Sequence, residues 1–222
     1  MDFKKMAALV AVDEIKENQV VGLGTGSTTH YFINELAKRN EKEELNILGV
    51  PTSYQSFLLA QKGKIPITTL DEHDIDVSVD GADEIDSNLN LIKGGGAAHT
   101  LEKIIDYAAE KFIVIADESK LVDRLGKFPV PVEIIPQSVK TVFSSLNDMG
   151  ANPEIRMAKY KDGPVITDNG NFIVDAQFPL IDNPIPLEKD LNSIPGVVEN
   201  GIFSQMTDKA IIGTVEGVKI LK

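Results

Sequence analysis

Val20-Val21-Gly22-Leu23-Gly24-Thr25-Gly26-Ser27-Thr28-Thr29 opens as a short apolar run and closes on glycines and hydroxyls. Val20 to Gly24 predicts a buried strand. Ser27 to Arg39 predicts a helix whose apolar stripe is Tyr31, Phe32, Ile33 and Leu36. Glycines at such a join let a ligand approach the backbone. The helix start adds unpaired N–H groups and partial positive charge, which suit a phosphate. Ser27, Thr28 and Thr29 supply hydroxyls, so the stretch reads as a phosphate cradle rather than a plain capped turn. It is not a dinucleotide fingerprint. Ser27 stands where the third glycine belongs, and the following strand ends in Val50-Pro51-Thr52-Ser53, without the acid that holds a ribose. It also lacks the Gly-Lys-Ser/Thr of a P-loop.

Outward from this unit, strand and helix patterns alternate. Ile47 to Val50 reads as a strand and Ser53 to Lys62 as a helix closed by Gly63. Ile75, Val77 and Val79 have the period of a strand. Thr100 to Lys111 is helical in pattern, and Phe112 to Ala116 is a continuous apolar strand. This alternation predicts an α/β fold with a mostly parallel, Rossmann-like sheet. The pattern changes after Lys127, where Pro129, Pro131 and Pro136 crowd together. Val130–Ile135, Ser138–Met149, Glu154–Lys159, Asn171–Gln177, Leu187–Ser193 and Val197–Phe203 then read β-α-β-β-α-β, the pattern of a smaller ferredoxin-like α+β domain. Ala210–Thr214 and Val218–Leu221 are expected to rejoin the first sheet. The expected division is residues 1–127 plus 204–222 as the larger α/β domain and 128–203 as the small one.

Composition narrows the function. The 222 residues carry 22 Lys and Arg against 34 Asp and Glu, a net charge of −12 with no basic patch, which argues against nucleic acid and anionic membranes. The absence of cysteine excludes disulfides, thiolate metal sites and a cysteine nucleophile, and suits the cytoplasm. The longest apolar run, Met6 to Val12, is far too short to span a bilayer and reads as part of an amphipathic first helix.

Three further clusters fall where ligands bind in open α/β sheets, past the carboxyl ends of strands. Asp80-Gly81-Ala82-Asp83-Glu84-Ile85-Asp86 crowds four acids. A calcium loop starting at Asp76 fails, because Ser87 stands where a bidentate Glu is required. Lys93-Gly94-Gly95-Gly96-Ala97-Ala98 precedes a helix bearing Glu102. Three glycines in a row are costly unless something approaches the backbone, and Lys93 is suited to stabilise an oxyanion. A bland reading of Glu102 is a carboxylate complementing the helix dipole. Asp117-Glu118-Ser119-Lys120 follows the next strand. His30, His73 and His99 show no metal-ligand spacing and are expected in packing or surface roles.

The glycine-hydroxyl loop, DGADEID, KGGGAA with a Glu six residues after the last of its three glycines, and DESK, in that order, resemble the type A ribose-5-phosphate isomerases. The predicted small domain matches as well, so the resemblance covers nearly the whole chain. It implies metal-free and cofactor-free interconversion of D-ribose 5-phosphate and D-ribulose 5-phosphate, a step of the non-oxidative pentose phosphate pathway, by a cytoplasmic homodimer. Residue by residue it makes Glu102 the general base. Asp80, Gly81, Ala82 and Asp83 become the sugar-binding acidic loop. Lys93, Gly94, Gly95 and Gly96 become a second substrate loop, Lys120 a further contact, and Thr25, Gly26, Ser27 and Thr28 the first loop. Lys4 matches a residue near the phosphate. This chain has His99 and Leu101 where members of the family often have Leu and Arg. Two rivals use related features: a coenzyme A transferase or sugar-phosphate deaminase, and a non-catalytic sugar-phosphate sensor.

Overall fold

In the computed structural model, which describes residues 2–222, the chain begins α1 (Phe3–Asp13), β1 (Val20–Leu23), α2 (Ser27–Glu43), β2 (Leu48–Pro51) and α3 (Tyr54–Lys62). It continues β3 (Val77–Asp80), β4 (Glu84–Ile85), β5 (Leu91–Ile92), α4 (His99–Ala108) and β6 (Phe112–Asp117). Then come β7 (Val130–Ile134), α5 (Val139–Asp148), β8 (Asn152–Ile155), β9 (Phe172–Gln177) and α6 (Pro184–Asn192). The last strands are β10 (Val197–Asn200), β11 (Ile202–Phe203), β12 (Lys209–Thr214) and β13 (Gly217–Leu221).

The larger unit takes the residues through Ala82, Leu101–Leu121 and Met206–Lys222. Its six-stranded sheet runs β13-β12-β6-β3-β1-β2, parallel throughout except for the β12–β13 hairpin. The inner strands are apolar because both faces are covered. Val21, Leu23, Val79, Ile113 and Ile115 pack with Ala7, Ala8, Ala11, Phe32 and Leu36 of the helices. Gly22 is required where β1 passes β3, since a Cβ there would meet Ser78 Cβ at 2.7 Å. The tail strands join this sheet as expected. α2 runs on past Arg39 to Glu43, where an Arg39–Glu43 ion pair at 2.8 Å supports its last turn.

The smaller unit takes Asp83–Thr100 and Val122–Gln205. Its antiparallel sheet has the order β10-β7-β9-β8, with α5 and α6 as the connecting helices of a β-α-β-β-α-β chain. Val130, Val132, Val174 and Ala176 face Val142, Leu146 and Leu191 across one core. Three readings of the sequence shift here. The strand predicted over Glu154–Lys159 lies at Asn152–Ile155; β8 is an edge strand and accommodates Pro153, and the chain then turns through Gly163 at positive φ. The helix predicted over Leu187–Ser193 begins earlier, with Pro184 in its first turn. The strand predicted over Val197–Phe203 breaks at Gly201. Beyond it Ile202–Phe203 pairs with β5 in a separate three-stranded sheet, β11-β5-β4, that the sequence pattern did not reveal.

Candidate active site

In the larger unit, the first glycine loop and the acidic loop are tied together. Asp80 ends β3 fully buried, and its Oδ1 accepts the N–H of Thr25 at 3.0 Å and of Gly81 at 2.6 Å. Gly24 lies against this carboxylate; a Cβ there would meet Asp80 Cα at 2.6 Å. Thr25 Oγ1 donates to Ser53 Oγ at 2.6 Å and lies 2.7 Å from Thr52 Oγ1. Gly26, with φ of +125°, is the turn into α2 and donates its N–H to Gln55 Oε1 at 2.9 Å. The positive end of a 17-residue helix thus opens at Ser27.

Beside that helix start, Lys4 Nζ donates to Ser27 Oγ at 3.0 Å. A cavity of about 940 Å³ is lined by Lys4, Ser27, His30, Tyr31, Gln55 and Asp117 among others. Partial burial raises the Asp117 pKa, but hydrogen bonds from Ser119 and the charges of Lys4 and Lys120 outweigh it and hold the carboxyl below its ordinary value. Lys120 closes the short 3-10 turn that follows β6. Glu102 lies in the first turn of α4, only 3% exposed. That burial disfavours the bland reading of an exposed carboxylate that merely complements the helix dipole.

In the smaller unit, the remaining acids of the sequence cluster divide by role. Glu84 accepts the N–H groups of Gly126 and Phe128, and Asp86 those of Asn88 and Asn90, so both build loops. Asp83 Oδ2 instead accepts the N–H of Gly95, inside the triple-glycine loop, at 2.8 Å. Lys93 is 2% exposed, with Nζ 5.3 Å from the centre of the Phe203 ring, and its N–H donates to the Gly201 carbonyl at 2.8 Å. Gly94 has φ of +100° and lies over the His99 ring; a Cβ would meet Nδ1 at 2.7 Å. His99 Nε2 in turn donates to the Glu199 carbonyl at 3.2 Å, the packing role expected of it.

The sequence reading missed Glu133. This carboxylate is fully buried on β7 and accepts from Thr100, Thr167, Asn169 and Asn171. Burial raises its pKa, but those four donors outweigh it and leave it below the ordinary value. Thr100 is two residues before Glu102. The available signal was an acid inside the apolar run Val130–Ile135. Among the described residues no group of three or more His, Asp or Glu side chains converges as metal ligands do.

These features belong to an α/β enzyme architecture with a phosphate-suited helix start and a buried carboxylate. A family model described as ribose 5-phosphate isomerase A (phosphoriboisomerase A) matches residues 48–217, and the chain belongs to that family. A relative from Methanothermobacter thermautotrophicus, named ribose-5-phosphate isomerase A, is 63% identical over 222 residues, covering all of this chain and 98% of its own. The solved structure of the Methanocaldococcus jannaschii enzyme superposes with a TM-score of 0.97 at 53% identity, covering 100% of this chain and 98% of the other. A D-ribose-5-phosphate isomerase solved in complex with phospho-erythronic acid superposes at 0.98, with 57% identity and full coverage of both chains.

Proposed function

We propose that this chain interconverts D-ribose 5-phosphate and D-ribulose 5-phosphate by metal-free proton transfer through an enediolate, with Glu102 as the general base. Family membership over essentially the full chain carries the reading, and the burial of Glu102 agrees with it. Glu102 takes the proton from C2 of the open-chain aldose and returns it to C1. A positioned base contributes typically 10²–10⁴-fold. Lys93 and the N–H groups of Gly94 and Gly96 stabilise the oxygen that gains charge, while that of Gly95 is engaged by Asp83. Asp80 and Asp83, with Gly81 and Ala82, bind the sugar hydroxyls and assist ring opening. The phosphate docks at the start of α2 on Thr25, Gly26, Ser27 and Thr28, with Lys4 and Lys120 supplying the positive charge that a protein of net charge −12 must provide locally. Being remote from the reacting carbons, it contributes binding energy that positions them.

The same reading assigns the work to a cytoplasmic homodimer, with residues 1–127 and 204–222 as catalytic domain and 128–203 as small α+β domain, although 83–100 and 122–127 group with the smaller unit by their internal packing. Sedimentation at micromolar concentration tests the dimer. For the reaction, purified protein is mixed with ribose 5-phosphate and EDTA, and ribulose 5-phosphate is followed with Glu102→Gln alongside. Turnover by the wild type and its collapse in the variant support the assignment. A folded wild type without turnover, but with ammonia release from an amino-sugar phosphate or an acyl-Glu adduct from acyl-CoA, favours the rival enzymes. Saturable binding alone favours a sensor.

A further inference from the structure

The peptide joining Gly94 to Gly95 is held at both ends. Its carbonyl accepts from Arg156 Nη1 at 2.8 Å, and its N–H donates to Asp83 Oδ2 at 2.8 Å. The same Arg156 nitrogen reaches the next carbonyl, that of Gly95, at 3.2 Å. The guanidinium is itself fixed. Nε donates to Asp175 Oδ2 at 2.9 Å, and Nη2 donates to the other oxygen of that carboxylate. Such a planar fork matches a carboxylate in two places at once and leaves its remaining donors in set directions. The base of the clamp is rigid. Arg156 follows β8 with its own N–H on the Ile173 carbonyl at 2.9 Å, and Asp175 sits in β9, hydrogen-bonded on both sides.

In a trans peptide the N–H points opposite to the C=O. Holding the Gly95 carbonyl on Arg156 therefore turns the Gly96 N–H to the opposite side of the loop. A run of three glycines has no side chains to fix its conformation. The clamp supplies the order that the sequence of the loop lacks. Donors already oriented need no rearrangement when charge develops.

We propose that Arg156, braced by Asp175, is a positioning residue for the isomerisation. It acts through the carbonyls of Gly94 and Gly95, fixing the loop so that the Gly96 N–H is presented to the oxygen that becomes negative. The inference rests on the assignment of Lys93–Gly96 to the reacting end of the substrate.

The test compares Arg156→Gln, Arg156→Lys, Asp175→Asn and Lys93→Met, each in the full-length chain with thermal melting recorded. Two readouts are taken: kcat against KM for ribose 5-phosphate, and affinity for 4-phospho-D-erythronate, whose carboxylate offers oxygens resembling those of the enediolate. Arg156→Gln is expected to lower kcat about 10- to 100-fold with little change in KM. Affinity for the acid should fall in similar proportion. Arg156→Lys and Asp175→Asn should lose less in the same direction, and they carry the test if Arg156→Gln folds poorly. A residue that only supported the fold would lower the melting temperature and leave kcat per folded molecule unchanged. Wild-type kcat in all three clamp variants, with Lys93→Met inactive, overturns the clamp and leaves the loop assignment standing. Wild-type kcat in Lys93→Met overturns the loop assignment, and the clamp with it.

Discussion

The two glycine loops use the same residue in different ways. The first, Gly24 to Ser27, runs directly into a helix, and its carboxylate partner Asp80 holds backbone N–H groups in place. What it offers outward is the positive end of α2 with the Lys4 ammonium beside it. The second, Gly94 to Gly96, is separated from its helix by Ala97 and Ala98, and its carbonyls are taken up by Arg156. Its only nearby cation from the loop itself, Lys93, is almost completely buried. A loop that ends in a helix suits a group that arrives fully charged, such as a phosphate. A loop fixed from behind by its carbonyls suits an oxygen whose charge appears during the reaction. Glycine content alone does not separate the two; the groups behind each loop do.

That contrast breaks most sharply at the reacting end. Glu102→Gln should keep substrate binding and lose about 10²–10⁴ in kcat, and steady-state kinetics would measure it. Next, Lys4→Ala should raise KM for ribose 5-phosphate about tenfold or more, since one hydrogen bond to a charged group contributes roughly 1.5–3 kcal/mol. The rise in KM should exceed any fall in kcat. The reverse pattern would move Lys4 away from the phosphate.

Smaller effects concern the frame. Glu133→Gln disturbs the hydrogen bonds of four side chains and should cost about 1–3 kcal/mol in urea unfolding. The pKa of Glu133 in the folded protein lies below its ordinary value of 4.5. Its contribution to stability is therefore present above pH 4.5 and is lost as pH falls through the depressed folded value. The melting-temperature gap between wild type and Glu133→Gln should accordingly shrink as the pH is lowered below 4.5. A gap that stays constant with pH would mean that the ionised form of Glu133 is not what the four donors favour.

Much of this was legible in the sequence because the larger sheet is buried on both faces. Val20–Leu23 and Phe112–Ala116 must be apolar throughout, and a continuous run bounded by glycine or acid is easily read. β4, β5 and β11 have two residues each, too short to show any period, and their pairing depends on residues far apart in the chain. The candidate loops were visible because glycine runs and acid clusters are rare within regular elements. Arg156 and Glu133 were not, since each acts through hydrogen bonds to distant backbone or side-chain groups. An isolated arginine in a strand pattern looks like any solvent-facing residue, and only the fold shows what lies opposite it.

The position of β12 between β6 and β13 bears on how the protein is made. Both segments of the smaller unit are synthesised before Lys209 is reached. Until Lys209–Thr214 emerges from the ribosome, the edge of β6 has no partner on that side and exposes unpaired backbone groups of apolar residues. The larger sheet is thus completed late, after all residues of the smaller domain are already available to fold. Truncation or stalling before Thr214 should yield a chain prone to edge-to-edge aggregation, even though every residue assigned to the reaction has been made.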